Sequence, residues 1–445
     1  EFMRVNGKRF VLVLMALLLV VPLIAACGGG DDNADETPET SAEQTTGTAA
    51  TVEPSDETPE TDTDTDGTAT GETEAPDAVT PGGDEATETT GTPDTTGSIA
   101  PNQTAMYPLD FGYGFNVFPR GDEGGADFNQ QTIASVQDSG FGWVRVQFYW
   151  KDIQREPEWW DPLPVDRIVD QYAASGVKVL ASISNPPEWA LDPSGQQLLA
   201  DWGTWETFVT FMADRYKGKV AAWEIWNEPN HAVTVNGTVR VTDMANLLER
   251  GYTAVKAVDP RALVVFGGLT PTGVNDPSVA INDLDYLRSF YELEGGRYTG
   301  FFDVMGMHGN ATNNAPDLMY PDNPGTGDWS QDPSFYFKRL EQLRGVMQEF
   351  GDARPVWITE FGWTTANQAP GYEYGVDITE DLQAQYLVRA FEIARTEWDW
   401  VTGMFVWNLN FSTITDPADE KYPWSILNAD WTPRPAYEAL KAMPK

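Results

Sequence analysis

The chain has 445 residues, with 68 Asp and Glu against 28 Lys and Arg, a formal net charge of −40, 17 tryptophans, two histidines and one cysteine. So acidic a surface repels phosphate backbones, which argues against a nucleic-acid partner, and a single cysteine leaves no internal disulfide. No HExxH, Walker loop, GxSxG or cysteine–histidine cluster is present, so neither a metal nor any other cofactor is expected.

Residues 1–27 read as a lipoprotein signal peptide: Arg4, Lys8 and Arg9, then an apolar run from Phe10 to Ala26, then Cys27. The stretch Ile24-Ala25-Ala26-Cys27 resembles a bacterial lipobox, which implies lipidation of Cys27. The alternative, a retained membrane helix, needs about 20 apolar residues; the run is 17 long and contains Pro22. Residues 28–100 hold 20 Asp and Glu and 20 Thr, with no Lys, Arg, Trp, Tyr or Phe. Such a segment buries too little apolar surface to offset its ordering entropy and is expected to be a disordered, self-repelling tether. Together these imply an exported protein, lipid-anchored to a bacterial envelope and facing outward, with the membrane as a partner through Cys27.

Residues 101–445 suffice for one large domain. Apolar strand-like runs recur at 109–117, 141–149, 176–183, 219–226, 262–269, 302–308, 354–361 and 402–411. Each is apolar nearly throughout, as in parallel sheets covered on both faces. Helical periodicity lies between them: Val165, Ile168, Val169 and Tyr172; Phe337, Leu340, Leu343, Met347 and Phe350 after a Ser334 cap; and Leu382, Tyr386, Leu387 and Phe391 after a Thr379 cap. Strands alternating with helices predict βαβ units, and eight of them predict an α/β fold, a (β/α)8 TIM barrel. A doubly wound open sheet is the alternative, less favoured because no Gly-rich phosphate loop is present.

Catalytic groups of such barrels sit at the C-terminal strand ends. Glu228, in "WEIWNEPN", closes the fourth run, and Glu360, in "WITEFGW", closes the seventh. A buried strand gains nothing from a terminal carboxylate, which is costly to bury unpaired. One carboxyl that protonates a leaving oxygen and a second that attacks or activates water is the arrangement glycoside hydrolysis requires; a structural ion pair is the competing explanation.

"WNEP" after one strand and "ITEFGW" after another resemble the retaining glycoside hydrolases of clan A, over essentially all of 107–445 in element order, with family 39 or family 5-like enzymes nearest. The resemblance implies Glu228 as acid/base, Glu360 as nucleophile and Asn227 as a partner of the sugar 2-hydroxyl. It also implies Arg145 as a hydrogen-bond donor to the nucleophile, against the alternative of an interior partner for Glu224, and Trp407 as floor of the −1 subsite. Glu224 shares strand parity with Glu228 and is expected to point inward as a structural charge. His308, at the end of the sixth run, is expected to contact substrate or Glu360, while His231 is open between a role and a plain loop position. Trp363 and Trp189 are candidates for further sugar subsites, since aromatic faces stack on sugar C–H faces; Trp143, Trp223 and Trp357 are expected in the core. Asn185 is a further rim candidate where family 5 enzymes usually carry a histidine.

The expected function is therefore a retaining, endo-acting β-glycosidase working on a polysaccharide at the cell surface, as a monomer. A non-catalytic glycan-binding lipoprotein and a transglycosylase are the alternatives. The long stretches 231–241, 309–333 and 362–378 are expected to wall the cleft.

Overall fold

The computed structural model describes residues 110–445; the expected signal peptide, Cys27 and the acidic tether lie outside the described residues. Eight strands follow the eight apolar runs: β1 (Gly112–Asn116), β2 (Trp143–Tyr149), β3 (Lys178–Ser184), β4 (Ala222–Ile225), β5 (Leu263–Phe266), β6 (Met305–His308), β7 (Val356–Phe361) and β8 (Val401–Val406). They pair in parallel in the order β6-β7-β8-β1-β2-β3-β4-β5. The Val265–Val304 bridge and the Phe266 N–H bond to Val304 O (3.0 Å) join β5 to the approach of β6, which closes the barrel.

Eight longer helices follow in turn: α1 (Gly125–Asp138), α2 (Leu163–Ser175), α3 (Trp202–Arg215), α4 (Val241–Val258), α5 (Asp283–Glu292), α6 (Arg339–Glu349), α7 (Glu380–Thr396) and α8 (Pro435–Ala442). Val165, Ile168, Val169 and Tyr172 are the buried residues of α2, as their spacing predicts. Thr379 caps α7 through Leu382 N–H at 3.2 Å. Ser334 caps nothing: its own N–H is taken by Asp332 in a separate 3-10 turn, and α6 begins only at Arg339. The Pro333 turn interrupts what periodicity alone joins to the helix. Among the described residues, no helix is long and apolar enough to cross a membrane.

Inside the barrel, Trp143, Leu180, Ala222, Leu263, Val265, Val304, Trp357 and Phe405 form a separate apolar layer. Trp143 and Trp357 meet edge to face at 5.1 Å. Trp223 is buried in the main core between strands and helices. The three tryptophans expected in the core are there.

Candidate active site

Along β2, β3, β4 and β8 the interior residue two places beyond the apolar layer is Arg145, Ser182, Glu224 and Trp407, because alternate side chains of a strand share a face. Arg145 is the hub. Its Nε donates to Glu224 Oε2 (2.6 Å), Nη1 to Glu360 Oε1 (2.5 Å) and Asn116 Oδ1 (2.9 Å), and Nη2 to Asn227 Oδ1 (2.6 Å) and Ser182 Oγ (3.3 Å). Both readings of Arg145 hold at once: it binds Glu360 and it neutralises Glu224. Glu224 points inward as expected and also accepts the Gly268 N–H at 3.4 Å.

The end of β4 is shaped to deliver Glu228. Trp226 and Glu228 take positive φ, 74° and 49°, which non-glycine residues adopt rarely and mostly at functional turns. Their N–H groups stay bonded to the neighbouring strand ends, Trp226 to Ile183 O (3.0 Å) and Glu228 to Gly268 O (2.9 Å). These two bonds hold the backbone where the chain turns Glu228 over the rim. Pro229 follows, and the chain enters the loop.

His308 lies between the two carboxylates, with Nδ1 3.1 Å from Glu228 Oε1 and Nε2 3.8 Å from Glu360 Oε1. One oxygen of each glutamate and a ring nitrogen of His308 all lie within 4.8 Å of one another. That triangle has the donor set to hold a divalent ion, although acid–base chemistry at two carboxyls asks for none. Gly268 makes room for the imidazole: a Cβ there would stand 2.2 Å from His308 Cδ2 and 2.5 Å from Nε2.

Burial shapes the charges. It pushes the Glu360 pKa up, His308 and Arg145 pull it down, and Glu228 and Glu224 push it up again, leaving it above the usual carboxyl value. For His308, burial alone lowers the pKa, but Glu360 and Glu228 outweigh it, and the imidazole is held above its ordinary range. Arg145 loses hydration yet stays firmly charged between Glu224 and Glu360.

Trp407 is buried beside Phe118, edge-on at 5.4 Å, and clusters with Tyr372, Tyr374 and Trp424; its peptide bond to Asn408 is cis. Trp363 does not reach the site. It shares the outward parity of Phe361, is fully buried against Phe337 and Tyr386, and donates Nε1 to Asn314 O at 2.9 Å. The expected subsite is a packing residue between helices, a distinction that strand parity could have made. Trp189 is half-buried with its edge against Trp150 at 5.7 Å. Asn185 leaves β3 with φ 54°, its carbonyl bonded to Lys151 N–H. His231 is a loop residue whose Nδ1 accepts the Val233 N–H at 3.3 Å. Sequence reasoning missed Asn116, visible in principle as a polar residue ending β1, and Tyr372, for which a loop offers no periodic signal.

A model of the family described as Cellulase (glycosyl hydrolase family 5) matches residues 112–403. No curated protein is detectably similar to the chain. Solved structures with the same fold include a family 39 glycoside hydrolase from the gut symbiont Bacteroides cellulosilyticus WH2, 21% identical over 75% of this chain and 63% of that one, TM-score 0.53. Xylanase XynB from Paenibacillus barcinonensis is 16% identical over 77% of this chain and 98% of that one, TM-score 0.51. A monomeric beta-xylosidase from Caulobacter crescentus CB15 is 18% identical over 76% and 69%, TM-score 0.53. The chain thus spans under two thirds of the family 39 relative, and at these identities the likeness is one of fold.

Proposed function

The chain belongs to glycosyl hydrolase family 5, and from that membership we propose that it is a retaining β-glycosidase acting by double displacement. The observation that carries the proposal is the spacing and unequal support of the two carboxyls. An oxygen of Glu228 and one of Glu360 lie within 4.8 Å, near the roughly 5–5.5 Å of retaining enzymes and short of the roughly 6.5–9.5 Å that leaves room for an inverting water. Only Glu360 is gripped by Arg145, which favours its ionised, attacking form. Glu360 attacks the anomeric carbon while Glu228 gives a proton to the leaving oxygen; Glu228 then takes a proton from water, which releases the sugar with its configuration kept. Asn227, which accepts from the same Arg145 that binds Glu360, takes the 2-hydroxyl, and His308 is the hydrogen-bond partner of Glu228.

The test is hydrolysis of aryl β-glycosides by the wild type and by Glu228→Ala with added azide. Rescue that yields a glycosyl azide of retained configuration supports the mechanism; an azide product of inverted configuration sinks it. Because the Glu360 pKa is raised, the acid limb of kcat/KM should lie above pH 4.5, the ordinary value.

The same proposal places the enzyme on an envelope through lipidated Cys27, cleaving a β-linked polysaccharide internally. Endo-action predicts that viscosity falls well before reducing ends accumulate. A sugar acceptor in place of water would make it a transglycosylase, and product chain lengths separate the two.

A further inference from the structure

Five core tryptophans in this fold have their donors satisfied, whereas Trp226 Nε1 has no partner among the described residues. Trp150 Nε1 donates to Gln154, Trp205 to Leu247 O, Trp357 to Thr402, Trp363 to Asn314 O and Trp398 to Glu341. The cluster of Tyr372, Tyr374, Trp407 and Trp424 differs. All four are at most 3% exposed, and each carries a donor with no partner among the described residues: the two tyrosine hydroxyls and the two indole Nε1 groups. Buried donors in native proteins are nearly always paired, because leaving one unmade forfeits its hydration. Four in one cluster, around the ring that the glycosidase reading places under the reacting sugar, call for a ligand rich in hydroxyl oxygens.

Tyr372 comes from the loop after β7 and packs in one cluster with Trp407; burial first, then the Glu420, Glu228 and Asp419 carboxylates, push its phenol pKa up. Its backbone is fixed on both sides, N–H to Ala369 O and carbonyl to Gly375 N–H, each at 2.9 Å, and its ring meets Trp424 edge-on at 6.4 Å. A hydroxyl held so firmly, with no protein acceptor, is preorganised for a bound group.

We propose that Tyr372 is a specificity-determining residue, its hydroxyl donating to a hydroxyl oxygen of the sugar that rests on Trp407. The inference rests on the glycosidase reading above. It makes the loop after β7, rather than the barrel strands alone, responsible for recognising one position of the sugar ring.

The test compares the wild-type full chain with Tyr372→Phe on the best-cleaved aryl glycoside and its monodeoxy series. The variant keeps the ring and should melt no lower than the wild type, since the lost hydroxyl has no partner in the protein. Its kcat/KM on the parent glycoside should fall about 10–100-fold, and the wild type's penalty at one deoxy position should shrink to within about twofold. Unchanged kcat/KM on the parent, or the same deoxy preferences in both enzymes, overturns the assignment and leaves the glycosidase reading standing. If the wild type cleaves no glycoside, that reading fails and this inference falls with it.

Discussion

In the lower barrel the interior faces of β1, β2, β3, β4 and β8 present Gly114, Trp143, Leu180, Ala222 and Phe405; two residues further on they present Asn116, Arg145, Ser182, Glu224 and Trp407. One step of the strand period separates a dry layer, where Trp143 and Trp357 fill volume, from a layer in which nearly every side chain carries a charge or a hydrogen-bonding group. The lower layer is a cluster of apolar side chains, whereas the upper one crowds Arg145, His308, Glu224, Glu228 and Glu360 together, all nearly inaccessible to solvent. Packing explains the first layer completely. The second is expensive in electrostatic terms, and its arrangement makes sense as chemistry.

The contrast is sharpest at Glu360. Glu360→Gln keeps the shape and removes the attacking charge, and should lower kcat on the order of 10³-fold or more while the fold survives. Trp143→Phe, two residues below Arg145, should do the reverse: stability falls by about 1–3 kcal/mol and kcat stays within about twofold. Paired denaturation and activity curves check both, and a Trp143→Phe variant that loses activity without losing stability would erase the distinction between the layers.

Arg145 is the one residue on which the upper layer's fold and chemistry both depend. Arg145→Ala leaves Glu224 and Glu360 buried without their cation, and breaking a buried pair in this way costs about 3–5 kcal/mol. Arg145→Lys should recover little, since one ammonium cannot reproduce five contacts made by a planar fork; urea unfolding of the two variants measures this. Next in size is Gly268→Ala. A Cβ 2.2 Å from His308 Cδ2 forces the imidazole from its place between the glutamates, with a loss of about 1–3 kcal/mol and a fall in kcat/KM that Gly→Ala changes at exposed turns, such as Gly195, should not show.

Much of this was legible in the sequence, and for identifiable reasons. The eight apolar runs, the helix face of Val165 to Tyr172 and the rim position of Glu228 and Glu360 all follow from local periodicity. So does the inward direction of Glu224. Carrying the parity of Phe361 past the end of β7 would have turned Trp363 toward the helices; what periodicity does not carry is a break such as the separate turn to which Ser334 belongs. The long-range partners were invisible for a different reason. That Asn116 holds Arg145, that Gly268 makes room for His308, and that Tyr372 clusters with Trp407 are facts of closure, joining residues of different strands and loops.

The smallest expected effect concerns the sign of a charge in the upper layer. Burial opposes protonation of His308, while Glu360 and Glu228 favour it more, so the folded pKa lies above the ordinary 6.5. A raised value means the imidazolium stabilises the native state fully below pH 6.5, and that contribution disappears as pH rises through the folded value. The Tm difference between wild type and His308→Gln should therefore be largest near about pH 5.5 and shrink towards about pH 9. The lower layer supplies the control: the charged neighbour of Trp143 is Lys178, over its ring at 5.2 Å, and neither His308 nor the two glutamates touch it, so the Tm deficit of Trp143→Phe should stay flat over the same range. If the His308→Gln deficit grows with pH instead, burial has won over the two carboxylates and the histidine works as a neutral hydrogen-bond partner of Glu228.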